Sequence, residues 1–333
     1  MKKVIIGVTL SAILLYFSLR NIDFSKFEGL TNDLNYSYFI LAIFISFLTV
    51  LLHSIRWSII LSPVGIKKVE QKQLISIIFI GAMAIVLFPF RLGELVKPYL
   101  LNRQNKDISI SYSLGTIVIE RVLDVVGLYC IFLLIVCFAT LPDWLVNVSF
   151  VILAILTFGI CCLVVLYLKT DYAVRLIHLL IKRFPDTFKE KVEQIIRKFI
   201  EGFQILRDPK NLFYAIVLSI IFWFLSGLSV YCLFHFHNLS LPFLAALVVL
   251  VITMFSIGIP SAPGFLGNFQ FACIVALGIY MVEKETALLF SISYYAIGIM
   301  IPIVVGMILL QFVDFSFKEL FQVIKNLKSK EDV

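Results

Sequence analysis

Three groups of polar residues interrupt otherwise apolar stretches of the sequence, and they contain the side chains that could do chemistry. The first group combines the helix breakers Pro89 and Gly93 with the charged residues Arg91, Glu94 and Lys97. Proline and glycine break a helix, and charges beside such a break can meet a lipid headgroup in a polar cavity within the membrane. An ordinary charged cytoplasmic loop would have the same composition, so both interpretations are open at this point.

The second group is Glu120, Arg121 and Asp124, inside an apolar stretch at 113–139. Each charge within a membrane span costs at least about 2.5–3.5 kcal/mol on insertion scales. Glu120 and Asp124 share one helix face because they are four residues apart. The planar donor fork of Arg121 suits a phosphate, and Arg91 is a second candidate ligand for the same phosphodiester. The alternative is a self-neutralising ion cluster that holds the helices together.

The third group lies between two apolar runs and contains Pro260, Pro263, Gly264 and Gly267, followed by Gln270. Two prolines and two glycines within eight residues cannot continue a regular helix. We predict an unwound segment whose following helix begins inside the membrane, where its free N–H groups would attract an anion. A tight interhelical turn is the alternative.

The segments 89–93 and 263–267 both read Pro-x-x-Leu-Gly, and one lies in each half of the chain. Matching interrupted segments in two halves point to the binding site of a transporter. With three identities in five positions, an internal repeat is one interpretation of the match and chance similarity is the other.

The composition is that of a membrane protein. Hydrophobic residues make up 61% of the 333 residues and charged residues 15%, whereas a soluble domain is typically about 45–50% apolar and about 25% charged. We therefore predict an all-α fold, a polytopic integral membrane helical bundle. The net charge of +7 comes from basic residues in the loops, which indicates membrane orientation rather than nucleic-acid binding.

Catalytic and metal-binding patterns are missing from the sequence. The six cysteines lie within apolar runs and have no disulfide or zinc spacing. There is no nucleotide loop, metal signature or nucleophile–His–acid set. We therefore expect no cofactor and no metal, and the sequence favours a non-enzymatic function.

Eight stretches are apolar enough to cross a bilayer, which takes about 20 residues. They cover roughly 4–20, 37–61, 113–139, 148–168, 212–235, 242–260, 265–281 and 287–311. A ninth stretch at 73–89 is short and ends at a proline. If both termini are cytoplasmic and 73–89 enters and leaves on that side, 23 of the 28 Lys and Arg residues fall on the cytoplasmic side and three on the outer side. We predict about eight transmembrane helices and one re-entrant segment.

A single domain is predicted over 1–312, followed by an amphipathic cytoplasmic tail at 313–333. Within the domain, the polar segment 169–210 repeats apolar residues at helical spacing, with basic residues between them. This pattern predicts an amphipathic helix on the inner leaflet, broken near Pro185.

At the three polar groups the chain resembles the flippase-like transmembrane domain of lysylphosphatidylglycerol synthases, which also occurs in stand-alone proteins and beside some archaeal glycosyltransferases. The resemblance runs over nearly the whole chain. The residues that carry it are Arg91-Leu92-Gly93-Glu94 with Lys97, Glu120-Arg121 with Asp124, and Pro260 with Pro263-Gly264 and Gly267.

The resemblance implies a bundle of about eight helices with re-entrant elements that moves an aminoacylated lipid between leaflets. The chain is expected to lack the soluble domain that makes this lipid, so aminoacyl transfer is not carried over. The family usually has Glu where this chain has Gln270. If that Glu takes part in substrate or proton handling, this role is in doubt here.

Our leading hypothesis is a lipid transporter in the plasma (inner) membrane of a prokaryote. It would translocate a lipid with a phosphate-bearing headgroup, and an aminoacylated or a polyprenyl lipid are two candidates. Arg91, Lys97 and Arg121 would bind the phosphate. Glu94, Glu120 and Asp124 would balance these cations, and the Pro and Gly breaks would supply backbone donors and hinges.

Two hypotheses from other classes are open. An integral-membrane enzyme acting on lipid headgroups could use Glu120 and Asp124 as acid and base. An accessory subunit could anchor a separately encoded synthase or glycosyltransferase through the amphipathic segment 169–210.

Overall fold

The structure is a computed structural model that describes residues 2–62, 69–88, 93–138, 143–169, 185–259 and 261–313, together with Phe315 and Glu319. These residues form helices and no β-strand, which confirms the predicted all-α fold class. The helices are α1 (Lys2–Leu19), α2 (Lys26–Asn32), α3 (Tyr36–Leu61), α4 (Gln71–Leu87), α5 (Val96–Gln104), α6 (Ile110–Phe138), α7 (Asp143–Leu168), α8 (Asp186–Glu201), α9 (Pro209–Phe236), α10 (Phe243–Gly258), α11 (Asn268–Gly278) and α12 (Lys284–Leu310).

Among the residues that the structure describes, four helices are long and apolar enough to cross a membrane, namely α3, α6, α9 and α12. The longest of the four, α6, has 29 residues and extends about 43 Å at the α-helical rise, against a hydrocarbon core of about 30 Å. These helices confirm a membrane helical bundle. The count of eight spans stays a prediction.

The helix within the predicted span 265–281 is shorter than expected. Helix α11 has 11 residues and is about 16 Å long, which is too short to cross the bilayer alone. Its start is set by the preceding chain, where Gly264, Phe265 and Gly267 have φ values of 80°, 58° and 84°. No α-helix continues through such left-handed conformations, so the regular helix begins only at Asn268.

The chain turns back after α4. A Cβ added to Gly93 would collide with the backbone of Ala84 and Ile85, and a Cβ on Gly81 would lie 2.6 Å from Cγ of Lys97. Gly93 thus lies beside Ala84 and Ile85, whereas Lys97, further along the chain, lies beside the earlier residue Gly81. Residues 93–97 therefore run antiparallel to the last turns of α4. A reversal of this kind is what a re-entrant segment requires, and its entry and exit on the cytoplasmic side stay a prediction.

The chain divides into two compact units. The first consists of Met1–Leu52, Ile75–Lys97 and Ile221–Val333, and its core includes Phe234, Phe269 and Phe290. In this unit α11 packs against α1, α10 and α12.

The second unit consists of His53–Leu74 and Pro98–Ile220. Its core contains Ile60, Ile119, Leu123, Phe203, Ile205 and Ala215. The predicted single domain over 1–312 stays a prediction.

An amphipathic helix follows Pro185, as the spacing of its apolar residues predicts. This helix, α8, packs against α6, and the approach is tightest at two glycines. A Cβ on Gly202 would lie 2.5 Å from the carbonyl oxygen of Tyr112 and 2.7 Å from Cα of Gly115. The location of α8 on the inner leaflet stays a prediction. Residues 170–184, and nearly all of the predicted tail 313–333, lie outside the described residues.

Candidate functional site

A group of charged side chains lies inside the second unit, within helices that cross the membrane by length and composition. We call it the charged cluster. It consists of His53 and Arg56 from α3, Glu120, Arg121 and Asp124 from α6, and the hydroxyl of Ser219 from α9.

Arg56 is the central cation of the charged cluster. Its side chain is only 1% exposed, and it donates hydrogen bonds from Nη1 to Oγ of Ser219 at 2.8 Å and from Nη2 to Oε1 of Glu120 at 3.4 Å. Nη1 also lies 2.7 Å from Oδ1 of Asp124. A buried guanidinium has to be matched by carboxylates because leaving a charge unpaired in an apolar medium is very costly. Arg56 therefore holds α3, α6 and α9 in register.

Asp124 bridges the two arginines of the charged cluster. Its Oδ1 faces Arg56, and its Oδ2 accepts a hydrogen bond from Nη1 of Arg121 at 3.2 Å. The Arg121 side chain is 38% exposed, whereas that of Asp124 is largely buried. Arg121 is thus held by a carboxylate that Arg56 also contacts. A partly exposed guanidinium is of the side-chain type that binds phosphate oxygens.

Glu120 pairs with a histidine and an arginine of α3. Its side chain is 0% exposed, and Oε1 contacts Nε2 of His53 and Nη2 of Arg56. His53 and Arg56 are three residues apart, so they lie on the same face of α3. The α6 carboxylate therefore meets one permanent cation and one group whose charge depends on pH.

The sequence placed Glu120, Arg121 and Asp124 together, and the structure brings them into one cluster. Their principal partners, Arg56 and His53, were not among the predicted site residues. A signal for both exists, because an arginine inside an apolar helix is as costly as the acidic pair that it neutralises. The three-residue spacing of His53 and Arg56 would have indicated a polar face on α3.

The first polar group belongs mainly to the first unit. Lys97 is buried and Glu94 is half-buried, and the Lys97 stem lies against Gly81. Gly93 lies so close to the backbone of Ala84 and Ile85 that a Cβ would collide with it, so only glycine fits at this position. Residues 89–92, which include Pro89 and Arg91, lie outside the described residues, so the predicted pairing of Arg91 with Arg121 around one phosphate stays a prediction.

The third polar group forms an ordered break between α10 and α11. The hydroxyl of Ser11 accepts a hydrogen bond from the N–H of Ala262 at 2.8 Å and donates to Oδ1 of the buried Asn268 at 3.2 Å. The Tyr295 hydroxyl donates to the carbonyl oxygen of Gly264 at 2.8 Å. Contacts from α1 and α12 therefore stabilise the backbone that the prolines and glycines unwind. Pro263 starts the short 3₁₀ turn here, and Pro260 lies outside the described residues.

Gln270 has a defined role at the start of α11. Its Oε1 accepts a hydrogen bond from the N–H of Gly267 at 2.8 Å. This contact satisfies a backbone donor just before the first residue of α11. An amide oxygen can do this as a carboxylate oxygen would, and without a charge. At this position the backbone contact therefore does not require the Glu that the resembling family usually has.

The described residues contain no group of three or more His, Cys, Asp and Glu side chains arranged to hold a metal ion. The ionisable side chains of the charged cluster are two arginines, one histidine, one glutamate and one aspartate.

The chain is similar to three membrane proteins of archaea. A UPF0104 membrane protein of Pyrococcus horikoshii is 28% identical over 331 residues, which cover 92% of this chain and 95% of that protein. A UPF0104 membrane protein of Methanocaldococcus jannaschii is 27% identical, with 68% of this chain and 93% of that protein covered. A third, from Methanothermobacter thermautotrophicus, is 25% identical and covers 72% of this chain and 74% of its own length.

No solved structure matches the chain. The family described as the lysylphosphatidylglycerol synthase TM region matches residues 4–306, which is nearly the whole sequence. The chain therefore belongs to the family of the lysylphosphatidylglycerol synthase transmembrane region.

Proposed function

We propose that this protein moves a lipid with a phosphate-bearing headgroup from one leaflet of its membrane to the other. The observation that carries the proposal is the setting of Arg121, a partly exposed cation about 16 Å along α6 from its first residue. A charge at this depth is rare and usually marks a pathway for a polar substrate. The family supports the same class of function, since its name refers to the membrane region of a lipid synthase.

The chemistry of this function is non-covalent. The headgroup would leave water and needs hydrogen bonds inside the protein, while the acyl or prenyl tails stay in the lipid. Arg121 would supply donors for the phosphate, and its Nη1 donates a hydrogen bond to Asp124. Arg91 and Lys97 remain predicted ligands of the phosphate, and Glu94 remains their predicted counter-charge.

The two interrupted segments would supply movement and backbone donors. Both contain a glycine that no other residue can replace without a collision, Gly93 after α4 and Gly267 before α11. Broken helices at membrane depth recur at the binding sites of secondary transporters. The plasma membrane is the location that we propose for this activity.

The first test is native mass spectrometry of gently purified protein, which identifies the lipids that stay bound. Wild-type protein is compared with Arg121→Ala, and with Arg197→Ala as the matched control, because Arg197 is an arginine on α8 that also pairs with a carboxylate of its own helix. We expect one phospholipid or polyprenyl-phosphate class on the wild type and on Arg197→Ala, and its loss from Arg121→Ala. Equal and unselective binding in all three proteins would refute the role of Arg121.

A second candidate function is that of an accessory subunit. The observation in its favour is that α8 leaves Phe188 and Ile195 exposed on its outer side, where a separately encoded synthase or glycosyltransferase could dock. Replacing both residues by Ser should then abolish co-purification of that enzyme while lipid retention is unchanged. Unchanged co-purification would refute the accessory-subunit function, and the exposed face of α8 would then contact only the lipid surface.

A further inference from the structure

Helix α8 presents an exposed face of apolar and basic residues next to the face that packs against α6. Successive residues of a helix lie about 100° apart around its axis, so positions 188, 191, 195 and 198 form one stripe. We call it the basic–apolar stripe, and it consists of Phe188, Lys191, Ile195 and Lys198. All four residues are exposed, with relative exposures of 43% for Phe188 and 48% for Ile195.

The acidic residues of α8 lie on a different face. This face follows the helical spacing and consists of Asp186, Glu190, Glu193, Arg197 and Glu201. Two of its acids pair within the helix, Asp186 with Lys189 at 2.9 Å and Glu193 with Arg197 at 2.8 Å. Helix α8 therefore separates its charges, because one exposed face is basic and apolar and the other is mainly acidic.

Helix α8 meets the second unit at one end of its long apolar helices. Gly202, directly after α8, approaches the carbonyl oxygen of Tyr112 in the first turn of α6. The Tyr112 hydroxyl donates a hydrogen bond at 3.3 Å to the carbonyl oxygen of Leu61, the last residue of α3. The ends of spanning helices lie at the edge of the hydrocarbon core, so we expect the C-terminal end of α8 at the level of the lipid headgroups.

The same end of the second unit is basic. The guanidinium of Arg207, just before α9, lies 5.5 Å from the ring of Tyr167 in the last turn of α7. The basic residues at these helix ends are Arg103, Lys106, Lys169, Arg207 and Lys210, against the acidic Asp107 and Asp208. An excess of Lys and Arg is typical of the cytoplasmic side, where anionic lipids attract basic segments.

We propose that the basic–apolar stripe of α8 binds the anionic surface of the cytoplasmic leaflet. Phe188 and Ile195 enter the boundary between headgroups and acyl chains, and Lys191 and Lys198 meet the anionic headgroups. Each lysine gives roughly a fivefold preference for an anionic surface, and the two together roughly thirtyfold. A separately encoded enzyme is the competing occupant of this face, and the basic surroundings favour the lipid.

The test is the quenching of one added tryptophan by brominated lipid in vesicles that contain the full-length protein. Ile195→Trp is reconstituted in phosphatidylcholine with brominated phosphatidylglycerol, or in parallel with the same amount of brominated phosphatidylcholine. The signal of the three native Trp residues is subtracted with the wild type. Ile155→Trp is the reference, because Ile155 is an exposed apolar residue of α7.

The lysines are tested in the Ile195→Trp background. Lys191→Gln, Lys198→Gln and the double variant are compared with Lys189→Gln. The last is the matched control, because Lys189 lies outside the basic–apolar stripe and pairs with Asp186. Since all these side chains are at least partly exposed, none of the substitutions disturbs a buried core position.

Brominated phosphatidylglycerol should quench the added tryptophan of Ile195→Trp several-fold more than brominated phosphatidylcholine. This preference should persist in Lys189→Gln, fall stepwise in the two single variants and the double variant, and weaken with added salt. Ile155→Trp should show no preference. Equal quenching of Ile195→Trp by both lipids would overturn the proposed anionic contact.

Quenching of Ile155→Trp without quenching of Ile195→Trp by either lipid would also overturn it, and would favour a protein partner on this face. The measurement does not require lipid movement or Arg121. Its outcome is therefore independent of whether the proposed function is correct.

Discussion

The first prediction concerns Arg56, the buried cation that contacts three other members of the charged cluster. Arg56→Met keeps the length of the side chain but removes a guanidinium that contacts Glu120, Asp124 and Ser219. Two buried carboxylates then lose their common cation. Removing one partner of a buried ion pair typically costs about 3–5 kcal/mol, so Arg56→Met should be strongly destabilising.

Arg121→Met is the matched comparison on the same cluster. Arg121 is 38% exposed and pairs with Asp124, and exposed pairs contribute about 1 kcal/mol or less. The two arginines should therefore differ by a factor of several in their effect on the free energy of unfolding. The loss of about 3–5 kcal/mol in Arg56→Met corresponds to a fall in Tm on the order of 10 °C for a protein of this size.

The assay is thermal unfolding in detergent, followed by intrinsic tryptophan fluorescence at pH 7. A rescue variant combines Arg56→Met with Glu120→Gln and Asp124→Asn, which removes the uncompensated negative charges. It should recover more than half of the lost stability, because a neutral cluster of similar volume has no charge to bury. If Arg56→Met is no less stable than Arg121→Met, or if the rescue variant is the least stable of all, the reasoning about the cluster is wrong.

Three further outcomes follow from the contacts in the structure. Gly81→Ala should reduce lipid retention more than stability, since its Cβ would displace only the flexible stem of Lys97; native mass spectrometry and Tm together check this. Gly115→Ala should release α8, because its Cβ would meet the backbone of α8. Hydrogen exchange should then be faster in α8 and unchanged in α11, and equal exchange of α8 in the variant and the wild type would contradict this. Burial lowers the pKa of His237 to about 4, below its unfolded value of about 6.5. The unfolded state therefore binds the extra proton between these values, and stability should fall as the pH drops from 6.5 towards 4; His237→Gln should weaken this dependence in a pH series of Tm values.

Much of the fold followed from the sequence because membrane helices have to be long and continuously apolar. The helices found at Tyr36–Leu61, Ile110–Phe138 and Pro209–Phe236 agree closely with the predicted spans. The prediction overestimated 265–281, since hydrophobicity alone does not register backbone conformation. The left-handed residues Gly264 and Gly267 delay the start of that helix, although their role as helix breakers was visible in the sequence.

The candidate site was only partly predictable. Charges on one helix can be related by their spacing, which is why Glu120, Arg121 and Asp124 were expected to act together. The arrangement of α3 against α6 depends on tertiary packing, which one sequence does not reveal. Arg56 therefore joined the cluster only in the structure. The structure likewise shows that Gln270 caps a backbone N–H, a contact that its residue type alone does not indicate.

The most direct test of the central claim is a leaflet-exchange assay on purified protein in phosphatidylcholine vesicles that contain a headgroup-labelled phosphatidylglycerol or polyprenyl phosphate. A membrane-impermeant quencher reports the fraction of label that reaches the outer leaflet over time. We predict that wild-type protein and Arg197→Ala raise the exchange rate well above that of protein-free vesicles, and that correctly folded Arg121→Ala does not. If wild-type vesicles exchange neither lipid faster than protein-free vesicles, or if Arg121→Ala exchanges it as fast as the wild type, the account of a lipid pathway at Arg121 is contradicted.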